Sequence, residues 1–261
     1  MILVIDIGNS NTTIGVFDKD TIIVKWRITT TFQYTEDEYA SKILPLLNFS
    51  NIDFTEFRGV IISSVVRKIT KPISIFVEKY FRITPLIATE IEHDLTLKID
   101  NPKELGSDIL ANAIAANRLY GNCIFVSFGT ALVVGVITKE KVFLGVMISP
   151  GMEASYNSLI DSADLLFHTQ LSKPTQILGK NTRDAIRAGV YFSYIEAVNG
   201  IIKKIRKEYK IKFKTIITGG SAEVIYNDIM SIDIYDPNLT LKGLKFLYDF
   251  SELSKNAKKC L

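Results

Sequence analysis

The sequence predicts an α/β chain built by duplication, and three observations carry that prediction. A strand–turn–strand unit opens the chain at residues 3–17 (Leu-Val-Ile-Asp-Ile-Gly-Asn-Ser-Asn-Thr-Thr-Ile-Gly-Val-Phe). A similar unit returns at residues 125–137, where Gly129 aligns with Gly8 and Ser127 with Asp6, about 120 residues further on. Between the two, strand-like and helix-like segments alternate. With 261 residues and 47% hydrophobic content the chain can bury a sizeable core, and this length favours two modest lobes, 1–100 and 101–261, with a cleft between the copies. Short hairpins also resemble one another by chance, so pattern alone leaves coincidence open.

Strand-like runs at 1–7, 12–18 and 21–28, separated by tight polar turns, predict an antiparallel meander. Thr35-Glu36-Asp37-Glu38 reads as a capping box that starts a helix over 35–47, and 59–66 returns as an apolar strand. A helix over 72–81 and a short strand at 85–88 follow. Residues 107–119 form an alanine-rich helix, and 183–209 a long amphipathic helix with Ile186, Val190, Ala197, Val198, Ile201 and Ile205 on its buried face. Residues 216–220 predict a strand entering a Gly-Gly turn, with a helix from Ser221. That turn suits either the wall of an adenosine pocket, where bare backbone lets a flat base approach, or a simple connection. Residues 147–151 read as a loop closing over a cleft or a plain turn, Trp26 as core, and the Lys-rich end after Ser251 as frayed.

Composition narrows the partners. The net charge of +3 spreads over 31 basic and 28 acidic residues, which favours neither nucleic acid nor a membrane surface. Cys123 and Cys260 lie far apart with no Cys-x-x-Cys spacing, so no disulfide and a reducing compartment are expected. The apolar start lacks a basic leader and meets Asp6 at once, and no apolar run approaches the roughly 20 residues of a membrane helix. A cytoplasmic protein is the expectation.

Asp6, at the end of the first strand, can order a hydrated magnesium ion, while turn N–H groups and the Ser10, Thr12 and Thr13 hydroxyls can face phosphate oxygens. An ordinary solvent-capped hairpin accounts for the same residues. Asp108, in the first turn of the alanine-rich helix, suits capping, and also a base that takes a hydroxyl proton in phosphoryl transfer. Gly179-Lys180-Asn181-Thr182 precedes the long helix, with Asn181 and Asp184 placed to cap it and Thr182 able to meet a carboxylate or amide oxygen. It is no Walker A loop, because the earlier glycine is missing. His93 and His168 are isolated, which favours surface or interface positions over a zinc site or a triad.

In their order the motifs resemble type III pantothenate kinases of the acetate-kinase, sugar-kinase and actin superfamily. They are Asp6-Ile7-Gly8-Asn9-Ser10-Asn11, Ile62-Ser63-Ser64-Val65-Val66, Asn101-Pro102, Gly106-Ser107-Asp108, Phe128-Gly129-Thr130, Ser149-Pro150-Gly151, Gly179-Lys180-Asn181-Thr182, Thr218-Gly219-Gly220 and Leu239-Thr240-Leu241-Lys242-Gly243-Leu244, spanning almost the whole chain. The resemblance implies a duplicated actin-like (ribonuclease H-like) fold, each lobe a mixed sheet that opens with an antiparallel meander and is flanked by helices. It implies that ATP phosphorylates pantothenate to 4'-phosphopantothenate, the first step toward coenzyme A, in a cytoplasmic homodimer that needs magnesium and a monovalent cation, potassium or ammonium.

Carried over by position, Asp6, Ile7, Gly8, Asn9, Ser10, Asn11, Thr12 and Thr13 would line the ATP phosphates, with Asp6 reaching magnesium through water, and Thr130 would touch ATP. Asp108 would be the general base, and Gly106, Ser107, Asp108, Ile109 and Thr182 would contact pantothenate. Three positions depart from the family pattern. Ser127 stands where an Asp usually holds the monovalent cation, Ile109 where an Arg usually follows the base, and Leu132-Val133 where a Thr-Thr pair is usual. These departures motivate a competing expectation, a degenerate homologue that binds nucleotide or a protein partner, as an accessory factor, without phosphorylating pantothenate.

Overall fold

The computed structural model describes residues 1–162 and 171–259. In chain order its main elements are β1 (Ile2–Ile7), β2 (Asn11–Asp18), β3 (Thr21–Thr29), α1 (Glu36–Phe49), β4 (Gly59–Ser64), α2 (Arg67–Phe81), β5 (Leu86–Ile87), β6 (Thr96–Leu97), α3 (Ser107–Tyr120), β7 (Cys123–Phe128), β8 (Ala131–Ile137), β9 (Val142–Pro150), α4 (Met152–Asp161), α5 (Thr182–Tyr209), β10 (Lys214–Thr218), β11 (Ile234–Tyr235) and α6 (Leu239–Lys259). Two compact units result: Met1–Leu95 with Asn101–Ala115 and Thr240–Leu261, and Thr96–Asp100 with Ala116–Leu239. Neither unit is contiguous in the chain, since residues 101–115 and 240–261 join the first.

The first unit holds a five-stranded sheet in the order β3-β2-β1-β4-β5, antiparallel through β1–β3 and parallel from β1 to β4 and β5. Period-2 alternation sends Leu3, Ile5 and Ile7 of β1 and Ile14 and Val16 of β2 to one face, where they pack with Tyr39, Ile43 and Leu47 of α1 and Ile69, Ile73, Phe76 and Val77 of α2. Thr35 caps α1 with the full reciprocal box to Glu38, worth about 1 kcal/mol. Strand β4 stops at Ser64, and α2 starts at Arg67 rather than at Pro72, because its buried stripe already begins at Ile69. Trp26 is a partly buried flank of this core.

The second unit repeats that plan in the order β11-β10-β7-β8-β9-β6. The meander β7–β9 is again antiparallel, and β7 again pairs in parallel with β10, and β10 with β11. The likeness extends to irregularities. Gly15 and Gly135 occupy matching positions, and each copy carries a register shift one residue later, between Val16 and Phe17 and between Val136 and Ile137. The fold is thus a duplicated, actin-like mixed α/β architecture. Short edge strand β6 is an addition that carries no clear alternation in the sequence.

Several expectations need correction. Residues 147–150 are the end of β9, paired with β8 up to Ala131↔Pro150, and not a loop. Ser221 starts no α-helix; two short 3-10 turns, Ala222–Val224 and Tyr226–Asp228, are separated by Ile225, whose backbone leaves the helical region. Helix α5 buries Ile186, Ala188, Tyr191, Ile195, Val198 and Ile202, while Ala197 is exposed, so the stripe is rotated from the predicted one. Helix α6 runs on to Lys259. Cys123 is buried and free, and burial pushes its thiol up to about 12; Cys260 and His168 lie outside the described residues. His93 is half-buried, and its Nδ1 accepts from the Leu95 N–H at 3.3 Å. Among the described residues no helix is long and apolar enough to cross a membrane.

Within the first unit, α6 seats the start of α3. Thr240 Oγ1 donates to Asn112 Oδ1 at 2.9 Å, and the Gly243 backbone lies so close that a Cβ there would stand 1.9 Å from the Ala111 carbonyl oxygen. Backbone cannot step aside as a side chain does. Gly243→Ala should therefore lower stability by about 2–3 kcal/mol, read as a drop in the denaturant midpoint; an unchanged midpoint would refute this close approach.

Candidate active site

The face of the first sheet opposite its core carries polar groups at the hairpin end. In register, Thr13 of β2, Asp6 of β1 and Ser63 of β4 form one row. Ser63 Oγ donates to Asp6 Oδ1 at 2.9 Å, and Ser107 Oγ lies 2.9 Å from Ser63 Oγ. Because the single Ser63 hydrogen goes to the carboxylate, Ser107 must donate to Ser63. A chain of hydroxyls thus links the end of β1 to the first residue of α3, and both serines are buried.

Asp108 is the next residue along α3. Its carboxylate curls back toward the helix start, since a Cβ on Gly106 would meet Asp108 Oδ1 at 2.6 Å. Loss of water raises its pKa, and the N–H groups of Ile109 and of Asp108 itself hold it down in part. Asp6 is pushed up to about 7, first by burial and then by the negative charge of Asp108, against the hydrogen bond from Ser63. The two carboxyls therefore form an electrostatically coupled pair that resists double ionisation. Among the described residues no group of three or more His, Cys, Asp or Glu could hold a metal by itself. One or two carboxylates together with phosphate oxygens are the usual setting for magnesium.

The hairpin turn is tied down from β3. The Gly8 N–H donates to the Asn11 carbonyl at 3.0 Å, Thr30 Oγ1 donates to the Gly8 carbonyl at 2.8 Å, and the Thr30 N–H donates to the Ser10 carbonyl at 3.0 Å. Asn9, Ser10 and Asn11 are left at the exposed tip. Strand alternation corrects two expectations here. Thr12 points inward, 1% exposed, with its hydroxyl 3.0 Å from that of Thr30, and Ile7 is in the core, so neither side chain can reach a phosphate. Thr13 is on the Asp6 face. The Ile109 side chain is likewise buried, leaving only its backbone for a ligand.

In the second unit the matching row is Val133, Ser127 and Thr218. It offers two hydroxyls and a methyl pair where the first unit has a carboxylate between two hydroxyls. Thr130 is exposed at the tip of that hairpin, and Gly219, at φ +98°, approaches so closely that a Cβ would stand 2.3 Å from the Phe128 carbonyl oxygen. Thr182 is exposed at the start of α5, which Asn181 caps by accepting from the Asp184 N–H at 2.9 Å. It lines a cavity of about 770 Å³ with Gly179, Ser155, Ile186 and Tyr194.

Asp6, Ser107 and Asp108 are expected site residues from the sequence, which gives no role to Ser63 or Thr30. A Ser-Ser pair ending the apolar run 59–62 was the signal for Ser63; Thr30 had none, because its role depends on strand register.

The raised Asp6 pKa has a consequence for stability. In the unfolded chain Asp6 ionises near pH 4, in the folded protein only near 7, so the ligand-free fold loses stability as pH rises across that window. Asp6→Asn should stabilise the ligand-free protein by about 2–4 kcal/mol at pH 8 and by almost nothing at about pH 4, measured by denaturant unfolding. A destabilised variant at pH 8 would contradict the assignment.

A sequence model of the family described as type III pantothenate kinase matches residues 2–204. The type III pantothenate kinase of Geobacillus kaustophilus is 42% identical over 261 residues, covering 99% of both chains, and that of Halalkalibacterium halodurans is 40% identical over 250 residues, covering 95% of this chain and 98% of its own. Among solved structures, a protein described as a Baf family transcriptional activator from Campylobacter jejuni matches with a TM-score of 0.56 at 21% identity, over 95% of this chain and 97% of that one. Component A of the (R)-2-hydroxyglutaryl-CoA dehydratase of Acidaminococcus fermentans matches with a TM-score of 0.55 at 12% identity, over 95% and 96%. The structural likenesses carry the fold, and with the sequence match over most of the chain the conclusion is that this chain belongs to the type III pantothenate kinase family.

Proposed function

We propose that this chain transfers the γ-phosphoryl group of ATP to the primary hydroxyl of pantothenate, the entry reaction to coenzyme A. The observation that carries the proposal is the coupled Asp6–Asp108 pair, joined through Ser63 and Ser107 beside an exposed hairpin turn. In this reading the tip residues Asn9, Ser10 and Asn11, with Gly8 and the Thr13 hydroxyl, receive the phosphates; Thr130 and the Gly219-Gly220 turn serve the nucleotide; and Gly106, Ser107, the Ile109 backbone and Thr182 serve pantothenate. Homodimer formation and a cytoplasmic setting are carried over from the family resemblance as part of the same proposal. Small molecules, rather than nucleic acid or membrane, are the proposed partners, in keeping with the near balance of 31 basic and 28 acidic residues.

Asp108 orients the pantothenate hydroxyl and accepts its proton as the oxygen attacks phosphorus in line. Its raised pKa makes it a stronger base than a solvated carboxylate, and the helix N–H groups of Ile109 and Asp108 offset part of that rise. Asp6 would hold magnesium through water, and two hard, under-neutralised carboxylates fit a hard divalent ion. When bound, magnesium supplies positive charge that offsets the phosphate oxygens. The Ser127 row does not fit a charge-bearing monovalent site, since oxygen-ligand cation affinity follows ligand number and charge.

Asp108→Asn should lower kcat by about 10²–10⁴-fold in an ADP-release assay while ATP still binds. Nucleotide binding by the wild type without transfer to pantothenate would instead favour the degenerate-homologue reading, which Ile109, Ser127 and Leu132-Val133 motivate. Replacing potassium by sodium at constant ionic strength should change wild-type turnover by less than about twofold; strict dependence on potassium would refute the reading of the second row.

A further inference from the structure

The row that contains Asp6 does not end at Thr13. Strand β3 continues it, with Arg27 as the register partner of Thr13, so Ser63, Asp6, Thr13 and Arg27 lie side by side across four strands. Alternation along β3 settles the face. Val24, Trp26 and Ile28 pack toward the core, and Lys25, Arg27 and Thr29 are exposed on the opposite side, which is the side of Asp6. Arg27 is also at the hairpin end of its strand, three residues before the Thr30 that braces the turn. Among the described residues its guanidinium has no hydrogen-bond or ion-pair partner, whereas Lys25, the other cation on this face, is already engaged.

The charge of the site calls for such a group. A triphosphate on this row meets two carboxylates whose ionisation is already disfavoured by burial, and by the charge of Asp108 on Asp6. Two strand spacings of about 4.8 Å separate Arg27 from Asp6, a gap that one set of phosphate oxygens and a long side chain can span. Guanidinium stays charged and offers a fork of donors that matches phosphate in a bidentate way. We propose that Arg27 is a phosphate-binding residue of this site, the cation set opposite Asp6 across the Thr13 hydroxyl. The inference rests on the kinase reading for its substrate, but it concerns the polyphosphate alone.

The test uses the full chain. Arg27→Ala should raise the KM for ATP by about 10–100-fold and leave the KM for pantothenate within about threefold, with Arg27→Lys between wild type and Ala because it keeps the charge and loses the fork. By calorimetry the loss should appear with ATP and be absent with adenosine, and the ligand-free melting temperature should not move, since the side chain is exposed and unpaired. An unchanged KM for ATP in an active enzyme overturns the proposal, as does an equal loss for adenosine and ATP or a fall in ligand-free stability, either of which marks a structural role. If the wild type fails to phosphorylate pantothenate yet Arg27→Ala still weakens ATP binding, the kinase reading fails and the phosphate assignment stands.

Discussion

The site depends on keeping two carboxyls in poorly hydrated surroundings within reach of each other's field. Asp6 hangs from the end of an otherwise apolar strand, and Asp108 sits in the first turn of a helix that α6 pins from behind. Among the described residues no cationic side chain offsets either charge; their relief is a serine hydroxyl in one case and backbone N–H groups in the other. The fold thus carries an unfavourable arrangement of charge that a bound cation would ease, the usual relation between a strained site and the scaffold that holds it.

Position follows from ordinary packing rules. Parallel pairing of β1 with β4 brings Ser63 beside Asp6, and the Ser63–Ser107 contact fixes where α3 begins relative to the sheet. The helix start then turns the Asp108 carboxylate back over Gly106. Each link is short and both serines are buried, so a displacement of α3 would be felt at β1 through two hydrogen bonds rather than through a loop.

Much of this was legible in the sequence where the signal is local. The hairpin, the capping box at Thr35 and Glu38, the alanine-rich helix and the recurrence of strand-Gly-strand all follow from residues near one another in the chain. What pattern could not give depends on register and on distant segments. Thr12 and Thr13 look alike in sequence, but one residue of alternation sends the first into contact with Thr30 and the second to the face that carries Asp6. The return of α6 to the first unit, and the strand character of residues 147–150, are set by partners far away in sequence. The second helix escaped correct delimitation because its proline at 72 imitates a start while the apolar stripe begins a turn earlier.

The shared register slips at Val16/Phe17 and Val136/Ile137 show that the geometry of both copies is held by glycine placement and backbone pairing, indifferent to the polarity of the row beneath. One copy keeps an acid there and the other has a small alcohol beside a branched hydrocarbon, with no change in the meander. Shape and charge are thereby separable in this architecture: a single side-chain exchange in the row of the second copy would change its charge while the scaffold stays as it is.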